Sequence, residues 1–174
     1  VEGTYPGFAQ DTLIRKAEGF DYYDDFSMWD TYRALHPLLT IIDPERTLHM
    51  VRSLVAKAEQ GGWMPIFPAW NNYTAAMIGD HVSATIADAY VKGIKDFDLE
   101  KAYHYMRKNA FEHPSREEYV DGRGRRALES YLNYGHIPLE DSVWDAFHKR
   151  EQVSRTLEYA FNDYAIAQVA KGLD

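Results

Sequence analysis

Beyond Ser27 the apolar residues of this chain recur at three- and four-residue steps, and nowhere do they alternate with polar ones for more than a few positions. A period near 3.6 buries one face of a helix, whereas a period of two would bury one face of a strand. The pattern commits residues 27–174 to an all-α fold of antiparallel helical hairpins. Punctuation divides it. A first helix runs from about Ser27 to His36, where Pro37 forces a break or a fresh start. Asp43-Pro44 supplies a cap and a preset φ for a helix that turns Leu48, Val51, Leu54, Val55 and Ala58 inward and stops at Gly61-Gly62. A loop from Trp63 to Thr74 precedes a helix predicted over Ala75 to Lys92. Asp96 or Asp98 caps another, which ends at His113-Pro114. Ser115 to Gly124 reads as a polar loop, and Ala127 to Tyr134 as a short helix ended by Gly135. Glu151 to Lys171 is the longest helix. Its two apolar stripes, Val153-Leu157-Phe161-Tyr164 and Tyr159-Ile166-Ala170-Leu173, predict burial between neighbours.

Residues 1–26 carry Gly3, Pro6, Gly7 and Gly19 without helical period, and read as an irregular or extended lead-in with one short strand at its start. With 27 acidic against 19 basic residues, the net charge of −8 disfavours non-specific attraction to nucleic acid or to an anionic membrane surface. No apolar run approaches the roughly 20 residues that span a bilayer. The chain has no cysteine, which excludes disulfide scaffolds, thiol nucleophiles and Cys-ligated zinc, and leaves the compartment open. Val1-Glu2-Gly3 is neither a starting Met nor a signal peptide, so the sequence is expected to have lost a leader or to begin mid-protein.

Nucleotide-binding glycine loops and the G-x-S-x-G elbow are absent, and no two of the seven His residues stand three or four apart. What remains is aromatic rings beside acids and amides at helix entrances. In Phe26-Ser27-Met28-Trp29-Asp30, Asp30 either closes an S-x-x-D capping box on the Ser27 amide or accepts sugar hydroxyls beside an indole face. The loop Gly61 to Thr74 holds Trp63, Phe67, Trp70, Asn71 and Asn72, more than a connector needs, and serves either as a core anchor or as a ligand wall. His81 shares a helix face with Thr85 and Asp88, a polar stripe that a solvated face explains equally well. Glu158, Asn162 and Asp163 form a carboxylate–amide cluster in an otherwise buried segment, where acids need partners. Asn72-Tyr73-Thr74 fits a glycosylation acceptor, a tripeptide common by chance.

Several stretches, taken in order, carry a more specific signal. They are Ser27-Met28-Trp29-Asp30-Thr31-Tyr32-Arg33-Ala34-Leu35-His36-Pro37-Leu38, Pro44-Glu45-Arg46, Gly61-Gly62-Trp63-Met64-Pro65, Asn72-Tyr73-Thr74 with Met77-Ile78-Gly79 and His81, and Ala87-Asp88-Ala89-Tyr90-Val91-Lys92-Gly93-Ile94. Tyr134-Gly135-His136-Ile137-Pro138 and Val153-Ser154-Arg155-Thr156-Leu157-Glu158-Tyr159-Ala160 follow. Their succession resembles glycoside hydrolase family 92, the calcium-dependent exo-α-mannosidases. The resemblance implies a β-sandwich followed by an (α/α)6 toroid, of which this chain is the first part, and hydrolysis of terminal α-linked mannose with inversion. It places the substrate-contacting acid on Asp30 and a mannose-contacting aromatic on Phe67, where the family often carries Trp. Trp29, Trp70, Asn72 and His81 join them as expected substrate-binding residues. The family's catalytic acid and base belong to Glu-Gly-Asn-Ala-Trp-Gln-Tyr and Gly-Asn-Glu-Asp type motifs that do not occur here, so no catalytic residue is expected in this chain. By the same resemblance the intact enzyme carries calcium, acts on α-mannoside glycans and is secreted or periplasmic. Self-association through the open side of a half barrel is a further expectation. The competing reading is a stand-alone helical interaction module without catalysis, which the lack of internal repeats disfavours.

Overall fold

One helix organises the chain. In the computed structural model, which describes residues 3–143 and 146–173, α4 (Val82–Val91) packs against α2 (Leu35–Ile42), α3 (Pro44–Gly61), α5 (Leu99–Phe111) and most extensively α8 (Gln152–Ala170). Val1 and Glu2 of the expected lead-in and Asp174 of the expected helical segment lie outside the described residues. Residues 82–87 of α4 are all buried, and its Ser83, Ala84, Thr85, Ala87 and Ala89 are small enough for four neighbours to approach closely. Val51, Leu54, Met64, Met106, Ile166 and Val169 complete the core. The class is all-α, with three short elements at the edges: α1 (Met28–Thr31), α6 (Arg116–Val120) and α7 (Leu128–Tyr134). No helix among the described residues is long and apolar enough to cross a membrane.

Sequence and structure agree where a cap is written locally. Asp43 accepts the amide of Arg46 at 3.1 Å with Pro44 at the first helical position, and Gly62 closes α3 in the left-handed region at φ 81°. Asp98 caps α5 through Lys101 at 2.9 Å, and Gly135 ends α7 at φ 71°. The helix expected from Ser27 to His36 is only the single turn α1, and the fresh start expected at Pro37 is α2, which begins at Leu35 with Pro37 in its first turn, where the missing N–H is one of the donors left free anyway.

Three expectations are corrected. The helix predicted from Ala75 begins only at Val82, because Met77 at φ 61° and Gly79 at φ 76° are left-handed and thread residues 74–81 past α8 instead. The polar stretch 115–124 contains α6, closed by a complete capping box in which Ser115 and Glu118 satisfy each other's amides. Of the two stripes, only Tyr159 and Ile166 of the second are buried; Ala170 is half-buried, and Leu173 is exposed along with Val153, Leu157, Phe161 and Tyr164 of the first. Exposed Leu38, Ile41 and Ile42 on α2 add to this uncovered apolar surface.

The lead-in forms an antiparallel hairpin, β1 (Thr4–Pro6) with β2 (Ile14–Lys16), rather than one strand. It is fastened to α3. Gln60 donates to the Tyr5 hydroxyl and accepts from the Phe8 amide, and buried Lys57 sits beneath Tyr22 and Phe8 and reaches Asp24 at 3.2 Å.

Candidate functional site

The entrance to the helical layer is built around α1. Trp29, Tyr32 and Arg33 stand at i, i+3 and i+4, so their side chains share one face. The Arg33 guanidinium lies 4.6 Å from the Trp29 ring centroid and 4.8 Å from that of Tyr32. Tyr32 in turn stacks on His81 with centroids 3.8 Å apart and planes 6° from parallel, and Phe161 flanks the pair. Indole, guanidinium, phenol and imidazole thus form one continuous stack, each cation–ring contact contributing about 0.5–1 kcal/mol at a partly exposed position.

Glu158 of α8 is where the stack converges. Its Oε2 accepts from the Tyr32 hydroxyl at 3.3 Å, its Oε1 lies 3.5 Å from Arg33, and His81 Nε2 approaches Oε2 at 3.1 Å without the N–H being aligned for a hydrogen bond. His81 is 1% exposed, and burial, aided by the Arg33 charge, pulls its imidazole down to about 4. Burial together with Glu158 pushes the Tyr32 hydroxyl up. Gly79 is required at this spot. A Cβ there would stand 2.6 Å from His81 Nε2 and 3.0 Å from the Glu158 Cβ, and its φ of +76° suits glycine.

Behind the stack lies a buried charge network. Arg125 donates to Asp80 Oδ1 at 3.0 Å and contacts Asp163 at 2.7 Å, while its guanidinium covers the Tyr159 ring at 4.6 Å. Both Arg125 and Asp80 have fully buried side chains. Burial raises the Asp80 carboxyl above its ordinary value against the opposing pull of Arg125. The Asp80 amide donates to Asn162 Oδ1 at 2.9 Å, and Asn162 Nδ2 meets His81 Nδ1 at 3.1 Å. Asp163 also takes the Tyr131 hydroxyl at 2.9 Å. The cluster Glu158, Asn162 and Asp163 has therefore found the partners that burial demands.

Of the predicted site residues, Trp29 and His81 join this stack, the first at its outer end and the second at its base, covered by Tyr32. Asp30 is exposed beside it. The capping box on the Ser27 amide does not form; the Ser27 hydroxyl donates to the Asp30 carboxylate instead. Phe67, Trp70 and Asn72 belong to a second group. Residues 69–72 make a tight two-residue turn, with Ala69 and Asn72 exchanging backbone bonds of 3.1 Å, and its centre places Trp70 at φ 53° and Asn71 at φ 59°. A Trp in that region is strained by about 1–2 kcal/mol, and this one is 86% exposed. The turn is braced by Asp25, which accepts the Trp70 amide at 2.9 Å, and by Asn71, whose carbonyl takes the Ala9 amide. Asn72 spends its side-chain oxygen on the Tyr73 amide, and the Phe67 carbonyl receives the Thr74 hydroxyl at 2.6 Å. The segment Asp25–Phe26 joins the two groups, since Phe26 also donates to the Pro68 carbonyl at 3.0 Å.

Sequence reasoning missed Tyr32, Arg33 and Arg125 as members. The first two were legible in their spacing from Trp29. Arg125 sits in Gly122-Arg123-Gly124-Arg125-Arg126, a run of cations in an acidic chain; Arg125 and Arg126 are both buried, and only tertiary packing shows that Arg125 is the one paired with Asp80.

The glycosyl hydrolase family 92 catalytic domain matches residues 1–174, and the chain belongs to that family. Among solved structures it is similar to a family 92 α-mannosidase from Bacteroides thetaiotaomicron in complex with mannoimidazole, at 37% identity and a TM-score of 0.81, covering 99% of this chain and 20% of that one. An inverting family 92 mannosidase from Bacteroides thetaiotaomicron VPI-5482 matches at 30% identity and a TM-score of 0.79, over 93% of this chain and 20% of that one. An uncharacterized secreted glycosidase of Arthroderma benhamiae is 35% identical over 116 residues, 64% of this chain and 14% of its own length. The chain spans about a fifth of the length of the solved relatives.

Family 92 enzymes generally depend on calcium. That ion takes six to eight oxygen ligands. Among the described residues no three His, Asp or Glu side chains converge as metal ligands.

Proposed function

We propose that this chain supplies part of the sugar-binding wall of an inverting exo-α-mannosidase that releases terminal α-linked mannose from glycans. The observation that carries the reading is the Trp29–Arg33–Tyr32–His81 stack with Glu158 at its edge and Asp30 beside it. Carbohydrate recognition needs an apolar ring face next to acceptors for vicinal hydroxyls, and this entrance offers both. In the reading, Asp30 accepts sugar hydroxyls, Trp29 gives the ring face, and Phe67, Trp70 and Asn72 line the wall beyond Asp25. His81 acts through Tyr32 and Glu158, because it has almost no surface of its own.

Inverting hydrolysis requires two carboxyl groups about 6.5–9.5 Å apart, one protonating the leaving oxygen and one activating water. In this proposal both come from segments outside residues 1–174, as does the calcium. The intact protein works outside the cytoplasm, in keeping with the secreted relative. The uncovered apolar faces of α2 and α8 support self-association of the isolated chain, read as a mass that rises with concentration. The test is turnover of an aryl α-mannoside by this chain and by one extended through the downstream acid and base motifs. Only the extended chain is expected to turn over. Turnover by the present chain, abolished by Asp30→Ala, would show that an acid–base pair lies within it.

A further inference from the structure

The His81 ring has two nitrogens in unlike surroundings, and one amide decides between them. The Asp80 backbone N–H must be met by an acceptor, so the group of Asn162 facing it at 2.9 Å is its carbonyl oxygen. The Asn162 NH2 is thereby turned toward His81 Nδ1 at 3.1 Å. An NH2 group only donates, so Nδ1 must accept. The ring proton resides on Nε2, which faces Glu158 Oε2 at 3.1 Å. Asp80 is itself held by Arg125, so the chain of constraint runs from a fully buried guanidinium to the edge of the stack.

Glu158 does not spend all its acceptor capacity. A carboxylate offers about four lone-pair sites. Tyr32, Arg33 and His81 approach three of them, at 3.3, 3.5 and 3.1 Å, and the side chain keeps 15% of its surface exposed. Two of those approaches are long or misaligned, so the group is not saturated.

We propose that Asn162 is a positioning residue that fixes His81 as its Nε2–H tautomer, which turns an N–H rather than a lone pair toward the Glu158 carboxylate, and that Glu158, held by Tyr32 and Arg33, accepts a hydroxyl of the bound hexose. This deepens the mannoside reading above and rests on it for the identity of the sugar. Asn162 and His81 touch no ligand. Their effect passes through Glu158.

The experiment is ¹⁵N–¹H NMR of the chain labelled in histidine and tryptophan, with ¹³C-carboxyl labelling of glutamate, before and after addition of methyl α-mannoside. His81 is expected to show a pyridine-type Nδ1 and a pyrrole-type Nε2 at neutral pH. In Asn162→Asp, the carboxylate keeps the Asp80 amide satisfied but presents an acceptor to Nδ1, so Nδ1 is expected to become proton-bearing. Asn162→Gly serves as a control in which the amide is simply lost and both tautomers appear. A wild-type Nδ1–H tautomer, or an Asn162→Asp spectrum like that of the wild type, would overturn the lock. On adding mannoside the Glu158 carboxyl resonance should shift saturably, and Glu158→Gln should weaken binding about tenfold with the helical circular dichroism unchanged. Mannoside-dependent shifts at Trp29 without any at Glu158 would overturn the role of Glu158 while leaving the site reading intact. Absence of shifts at both would overturn the two together, and the tautomer would still be read.

Discussion

Asp80→Asn removes one charge from the buried pair beneath the site while changing almost no volume. Asp80 and Arg125 both have side chains without exposed surface, and they meet at 3.0 Å. Breaking such a pair by removing one partner costs about 3–5 kcal/mol, most of it the penalty of the charge left behind. Here Asp163 remains 2.7 Å from Arg125 with its side chain 40% exposed, so part of the guanidinium charge stays compensated. The expected loss therefore lies at the lower end, about 3 kcal/mol, a large share of the roughly 5–15 kcal/mol that holds an ordinary domain together. Urea unfolding followed by circular dichroism at 222 nm reads it as a lower midpoint at an unchanged slope. Arg125→Met strands the Asp80 carboxylate instead, and the double variant should lose clearly less than the two singles summed. A single-variant loss below about 1 kcal/mol, or strict additivity across the cycle, would refute the claim that these charges support each other in the core.

Two further outcomes test other parts of the structure. His81 has a folded-state value near 4, below its ordinary 6.5, so between those limits the unfolded chain binds a proton that the folded chain refuses. Stability from this group is full above pH 6.5 and is lost as pH falls, at about 1.4 kcal/mol per unit; His81→Phe should flatten the pH 6.5–5 segment of the unfolding curve, and an unchanged slope would contradict the assignment. Ser115→Ala removes the cap of α6 and should cost about 1 kcal/mol, read by the same denaturation; a loss below about 0.3 kcal/mol would show that tertiary contacts such as Trp63–Glu118 and Arg126–Tyr119 hold α6 without the cap.

The elements legible in the sequence were those whose stop and start signals act within a few residues. Asp43-Pro44, Asp98, Gly62 and Gly135 each end or begin a helix as their local chemistry dictates. The start of α4 was not legible. Nothing in Ala75-Ala76-Met77-Ile78 announces a left-handed Met; residues 74–81 leave the helix because the Asp80 amide and side chain find Asn162 and Arg125, partners 82 and 45 residues away. The missed α6 is a different failure, since Ser115-Arg116-Glu117-Glu118 carries the capping signature and its polarity drew it into the loop. In the candidate site, the pairing of an aromatic with an acid at Trp29-Asp30 is legible in the sequence, and the substrate contact of Asp30 is what the resemblance implies, whereas the stacking of Arg33 between two rings depends on a one-turn helix too short to be read with certainty of phase. Burial of His81 followed from Tyr32 folding over it, a contact between segments 49 residues apart.

The central claim is that the entrance formed by Trp29 and Asp30 holds a mannoside even without the catalytic acid and base. The direct measurement is titration of the chain with methyl α-mannoside while the indole N–H resonance of Trp29 is followed. The account predicts a saturable shift that Asp30→Ala abolishes while the remaining amide spectrum stays dispersed. A Trp29 resonance that does not move with ligand, or moves equally in Asp30→Ala, would contradict it.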